Sequence, residues 1–191
     1  MISEKARRLL LDVAAESIRH GLDHGRPLTV CAADYPEELR VPRATFVTLH
    51  RHGELRGCIG MLEAVRPLVE DVAHNSYAAA FEDPRFAPLA AWELEGLDLH
   101  ISVLSPPECM TCASEADLLQ QLRPGIDGLI LRDSHCRGTF LPSVWESLSD
   151  PCDFLRHLKR KAGLPADWWS DTLTVERYTT ESFGSPIREQ E

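Results

Sequence analysis

No apolar run in the sequence approaches the ~20 residues that a membrane-spanning helix needs, so no transmembrane helix is expected. Positive charge is also scarce. Twenty Lys and Arg against 30 Asp and Glu leave a formal charge of -10, and the pI is near 5.3. An extended footprint on nucleic acid needs clustered cations, which makes nucleic acid a disfavoured partner. Only the short run from Arg156 to Lys161 points the other way. The six cysteines (Cys31, Cys58, Cys109, Cys112, Cys136, Cys152) are scattered through a chain of ordinary core composition. That is unlike a small secreted disulfide scaffold, so free thiols and a cytoplasmic location are expected. Asp12 and Glu16 interrupt the apolar core that a signal peptide would require. Walker loop, dinucleotide fingerprint, HExxH, nucleophile elbow and paired zinc knuckles are all missing, and no cofactor is legible.

What is present reads as an ordinary globular chain. At 191 residues, 43% hydrophobic and 26% charged, it fits one domain or a larger and a smaller lobe, able to bury roughly 70% of its unfolded surface. Ser3 can cap a helix whose apolar positions Ala6, Leu10, Val13 and Ala14 recur at helical spacing, with Gly21 as its stop. Residues 23–42 carry Gly25, Pro27, Pro36 and Pro42 and read as a long connection. Residues 44–50 and 55–60 form a hairpin around Arg51-His52-Gly53-Glu54. A helix after Pro67 follows, with Val69, Val72, Ala73, Ser76 and Ala80 on one face, and Asp83-Pro84-Arg85-Phe86 ends it. Leu97, Leu99, Ile101 and Val103 alternate with Asp98, His100 and Ser102, the period of a half-buried strand.

Further along, Ser114 caps a short helix, 128–132 and 136–140 make a second hairpin, and Asp150-Pro151 begins a helix closed by Gly163. Lys159, Arg160 and Lys161 suit the negative end of that helix. A closing strand runs through Leu173 and Val175. Strands and helices mix without a βαβ rhythm, which predicts an α+β fold with a mainly antiparallel sheet flanked by helices. Each hairpin returns through an Arg-Gly pair, Arg56-Gly57 and Arg137-Gly138, and then enters a helix. This is the mark of an internal duplication, although shared turn chemistry produces the same appearance. Residues 1–183 read as the domain and 184–191 as a polar tail.

The segment Leu55-Arg56-Gly57-Cys58-Ile59-Gly60 holds the candidate chemistry. In a regular strand Arg56, Cys58 and Gly60 share one face. A cation one strand repeat away favours the thiolate, the nucleophilic and metal-binding form, so Cys58 and Arg56 are the candidate catalytic residues. Gly57 and Gly60 let a ligand or another backbone come close, and with Asp83 and Arg85 they make the candidate binding set. The plainer reading makes Cys58 a small buried hydrophobe and Asp83–Arg85 an ion pair that anchors a loop. His50 and His52 flank the turn and are candidate bases. Cys109-x-x-Cys112, joined by His135 and Cys136 if the fold allows, is a weak metal or redox candidate lacking a second pair, and no metal site is assigned. Trp168-Trp169 is a stacking platform if exposed and a core closure otherwise.

Several ordered motifs carry a family likeness over nearly the whole chain: Phe46-Val47-Thr48-Leu49 before the hexapeptide, Asp83-Pro84-Arg85-Phe86, Ile101-Ser102-Val103-Leu104, Gly128-Leu129-Ile130-Leu131, Phe140-Leu141-Pro142, and Phe154-Leu155-x-x-Leu158 leading to Lys161-Ala162-Gly163-Leu164. With them the sequence resembles the AMMECR family, known in prokaryotes as protein A of the AmmeMemoRadiSam system. The resemblance implies an α+β fold of a larger and a smaller lobe, a cleft near the hexapeptide, and a Memo-like protein and a radical-SAM protein as partners. It implies no reaction. Many relatives have glutamine where this chain has Ser143 and an acidic residue where it has His100, so neither position is given an essential role. Two functions follow: a Cys58-dependent enzyme, or a non-catalytic module that binds those partners.

Overall fold

The computed structural model describes residues 1–133 and 135–187. The first helix, α1 (Glu4–His24), starts where Ser3 accepts the Ala6 amide at 3.2 Å. Its buried stripe includes Leu10, Val13, Ala14 and Ile18. Gly21 does not stop it. A side chain at Gly21 would collide with the rings of Tyr77 and Phe81, so that glycine lets another helix come close, and the stop is Gly25 in the left-handed region at φ 66°. The connection that follows contains a single 3₁₀ turn and the short helix α2 (Glu37–Arg40).

The chain divides into two compact units, Met1–Leu104 with the chain from Glu181 onward, and Ser105–Thr180. In the first unit, β1 (Thr45–Arg51) and β2 (Glu54–Gly60) pair across a two-residue turn. His52 and Gly53 both take positive φ there, 53° and 82°, the combination whose twist matches that of paired strands. With β3 (Leu97–Leu104) and β8 (Thr180–Pro186) they form a four-stranded sheet in the order β2-β1-β3-β8. Helix α3 (Leu68–Phe81) packs on β1 and β2 and against α1. The core between them holds Leu10, Ile18, Val47, Leu49, Val69, Val72, Leu99 and Ile101, each at most 1% exposed. Each such side chain contributes about 1.5–3 kcal/mol by leaving water. Strand β3 alternates as its sequence predicts, with Leu97, Leu99, Ile101 and Val103 inward and His100 exposed.

Strand β8 corrects the tail expectation. Its residues 184–186 continue the strand, and the Ile187 amide donates to the Leu97 carbonyl at 2.8 Å. Residues 188–191 of that tail lie outside the described residues.

In the second unit, β4 (Glu108–Met110), β5 (Gly128–Asp133), β6 (Cys136–Phe140) and β7 (Thr174–Tyr178) form an antiparallel sheet in the order β4-β7-β5-β6. Helix α4 (Glu115–Gln121) is capped by Ser114, and α5 (Pro151–Lys161) by Asp150. Phe154, Leu155 and Leu158 of α5 are fully buried beside Leu118, Leu129 and Leu131. The Trp145 ring stacks on Phe154 with centroids 3.8 Å apart. The series β1-β2-α3-β3 and β5-β6-α5-β7 follow the same path, a hairpin, a helix, and a strand that pairs with the first hairpin strand.

Candidate functional site

The hexapeptide occupies β2, an edge strand of the first sheet. Beside the two-residue turn Arg51 faces Glu54 and His50 faces Leu55, but Leu49 then faces Gly57 and Thr48 faces Cys58. Arg56 is the extra residue of a β-bulge. A bulge interrupts strict alternation and re-aims the side chain of its extra residue.

The guanidinium of Arg56 turns to Glu93, in the 3₁₀ turn Ala91–Glu93. Nε donates to Oε1 at 2.8 Å and Nη2 to Oε2 at 2.9 Å, a side-on pair whose side chains are only 14% and 11% exposed. Nη2 also donates to the Ala87 carbonyl at 3.0 Å. Glu93 accepts the Ala90 amide as well, at 2.9 Å. The Arg56 hydrogen bonds, reinforced by the Ala90 amide, hold the Glu93 carboxyl down to about 2 despite its burial. Glu93 likewise raises the Arg56 guanidinium. The cation expected to act on the Cys58 thiol is therefore committed to a carboxylate.

Asp83 and Arg85 form a second unit at the same strand. Asp83 Oδ2 accepts the Cys58 amide at 2.9 Å, and Arg85 Nη2 donates to the Cys58 carbonyl at 3.3 Å. Both open backbone groups of the edge strand at Cys58 are thereby closed. Arg85 also grips Asp83 side-on, Nε to Oδ1 at 2.9 Å and Nη2 to Oδ2 at 2.7 Å. Those bonds hold the buried Asp83 well below the usual carboxylate range. The Phe86 ring lies within reach of both guanidiniums, at 5.8 Å from Arg56 and 5.5 Å from Arg85.

Cys58 itself is half-buried, and its Sγ lies 3.1 Å from Thr48 Oγ1. His50 and His100 approach edge to face at 5.5 Å, while His52 lies against Gly96. At both glycines the space a side chain would take is already filled. A Cβ on Gly57 would overlap the Ala79 carbonyl of α3, and one on Gly60 would overlap Thr45 and Phe46. Their missing side chains admit the protein's own backbone, the second of the two close approaches expected of them. The groove of about 980 Å³ lies elsewhere, lined by α1 together with Leu28, Tyr35, Leu99 and residues 184–187.

Thr48 and Glu93 escape a reading of the sequence. A regular register from the turn would place Gly57, not Cys58, opposite Thr48, and nothing in the residue types announces the bulge. The turn that carries Glu93 begins at an alanine, where a capping residue would have drawn notice.

The remaining candidates separate. Cys109 lies on β4 and Cys136 on β6, opposite edges of a four-stranded sheet, and three strand spacings of ~4.8 Å alone put them more than about 14 Å apart. Cys112 packs against the second core, where burial raises its thiol. Among the described residues no group of three or more His, Cys, Asp or Glu is arranged to hold a metal ion. Trp168 is 40% exposed and donates to Asp133, while Trp169 packs on the second core. The basic run on α5 is not a uniform patch, because Lys159 is buried against Glu115 at 2.8 Å and Arg156 pairs with Asp153. Among the described residues no helix is long and apolar enough to cross a membrane.

Two antiparallel four-stranded sheets with their helices place the protein among α+β folds. The sequence pattern of the AMMECR1 family matches residues 11–183, and the chain belongs to that family. A protein of Methanothermobacter thermautotrophicus is 38% identical over 184 residues, covering 95% of each chain. One from Thermotoga maritima is 40% identical over 151 residues, covering 78% of this chain and 82% of its own. The crystal structure of the uncharacterized protein PH0010 from Pyrococcus horikoshii superposes with a TM-score of 0.86 at 33% identity, covering 96% of this chain and 93% of that one.

Proposed function

We propose that the chain is a non-catalytic partner-binding module, working in the cytoplasm with a Memo-like and a radical-SAM protein, and that the hexapeptide is the rigid base of its contact surface. The observation that carries this is Trp92. It is 67% exposed and stands on the 3₁₀ turn that the Arg56–Glu93 pair pins down. The Arg51 guanidinium lies 4.7 Å from its ring. Tryptophan and arginine dominate the energetics of interfaces, and an anchor already held in place loses little freedom on binding. Arg56 acts here as a positioning residue for Trp92.

The test is co-elution of the full chain with the purified partners under anaerobic, cofactor-loaded conditions. Trp92→Ala should abolish co-elution while circular dichroism stays unchanged, and Cys58→Ser should leave it intact. Failure of the wild-type chain to co-elute, or equal binding by Trp92→Ala, overturns the proposal.

The contact between Cys58 Sγ and Thr48 Oγ1, with the His50–His100 pair on neighbouring strands, favours a second reading, an enzyme that uses Cys58 as its nucleophile, one of those histidines as its base and the half-exposed Arg85 to hold the substrate. Alkylation of Cys58 faster than a model thiol at neutral pH would support it, and alkylation at or below the model rate would exclude it.

A further inference from the structure

His20 and His24 stand one turn apart on α1, and their ring centroids are 4.3 Å apart with planes inclined at 49°. Side chains four residues apart on a helix share one face. Two imidazole nitrogens bound to one ion at about 2.0–2.1 Å lie roughly 3 Å apart when the ligands are adjacent, and rings at this separation reach that arrangement by side-chain rotation alone. His20 is half-buried and His24 exposed, so one ligand is anchored while the other meets solvent.

A helix end ordinarily frays, which would deprive such a pair of its geometry. Here the last turn is tied twice. The Gly25 amide donates to the Gly21 carbonyl at 2.9 Å, and the Tyr77 hydroxyl donates to the Gly25 carbonyl at 2.8 Å. The negative end of the helix dipole also lies at this turn and favours a cation.

We propose that His20 and His24 chelate one borderline divalent transition metal, of the Ni²⁺, Cu²⁺ or Zn²⁺ class, with solvent completing the coordination sphere. Neutral imidazole suits these ions, whereas Mg²⁺ and Ca²⁺ prefer oxygen. The site is remote in sequence from the hexapeptide and does not depend on the binding role proposed there.

The test uses Ni²⁺ alone on the full chain, followed by amide NMR and by calorimetry, with Mg²⁺ as control. Paramagnetic Ni²⁺ should first broaden the amide signals of residues 20–25, and Mg²⁺ should leave them unchanged. Each of His20→Gln and His24→Gln should weaken binding roughly tenfold or more, because the second ligand of a chelate acts at high effective concentration, with no change in helix content. The proposal is overturned by broadening centred on the exposed Cys31, Cys109 or Cys152, by unchanged affinity in both variants, or by no broadening at about 1 mM Ni²⁺.

Discussion

The two Arg-Gly hairpins use the same dipeptide to different ends. Gly57 and Gly138 each face a fully buried leucine, Leu49 and Leu131. Each also admits a close neighbour, the Ala79 carbonyl of α3 in one case and the Ala162 backbone just after α5 in the other. The glycine is thus architectural in both units, since only its missing side chain lets the chain packed on the sheet approach so closely. The arginines diverge. Arg56 sits at a bulge and is buried against Glu93, whereas Arg137 lies in a regular register opposite Arg132 and is exposed. Further along each strand, Cys58 meets the Thr48 hydroxyl, while Thr139 donates to the Leu129 carbonyl and contacts the Tyr178 hydroxyl. Shared glycine grammar built two similar units, and a one-residue bulge gave one of them a buried cation and a fixed neighbouring turn.

The sharpest way to break this comparison is Arg56→Ala. It leaves Glu93 buried without its partner and should cost about 3–5 kcal/mol, measured by urea denaturation. Gly57→Ala should cost about 3 kcal/mol, because its new methyl meets backbone that can move only with α3. Gly138→Ala, whose methyl would lie 2.8 Å from the Ala162 Cβ and 2.9 Å from its backbone, should cost about 1–2 kcal/mol. Equal losses at the two glycines would show that the units tolerate the same intrusion.

Acid titration separates the units next. Glu93 titrates near 2 folded against an ordinary 4.5, so the stability it contributes is full above pH 4.5 and is lost as pH falls through about 2. Glu93→Gln should flatten the stability profile in that window. The smallest effect belongs to the second sheet, where Arg132 is 43% exposed in its pair with Glu176. Arg132→Ala should change stability by no more than about 1 kcal/mol. A loss there as large as at Arg56 would erase the distinction.

Most elements are legible in the sequence because their signals are local. Ser3, Ser114 and Asp150 cap their helices through their own side chains. Leu97 to Val103 alternate as a half-buried strand must, and the Arg-Gly repeat is plain from the residue order alone. Gly21 misleads because a glycine inside a helix and one that ends it look alike in sequence, and only the rings of Tyr77 and Phe81 beside it tell them apart. The strand through residues 184–186 is hidden because Ser, Gly and Pro have weak strand preference. It forms because residues 180–186 extend the sheet beside β3.

The sequence by itself determined the family, the α+β class, the two hairpins and the place where interest concentrates, Leu55 to Gly60. All of these rest on residue type, spacing and periodicity over short stretches. Only the tertiary structure decided what that segment touches. The bulge shifts the register by one residue, and Glu93, Asp83 and Ala79 reach β2 from parts of the chain more than twenty residues away. A one-residue shift changes every facing pair in a strand, so the partners of Arg56 and Cys58 were set by packing that no local pattern encodes.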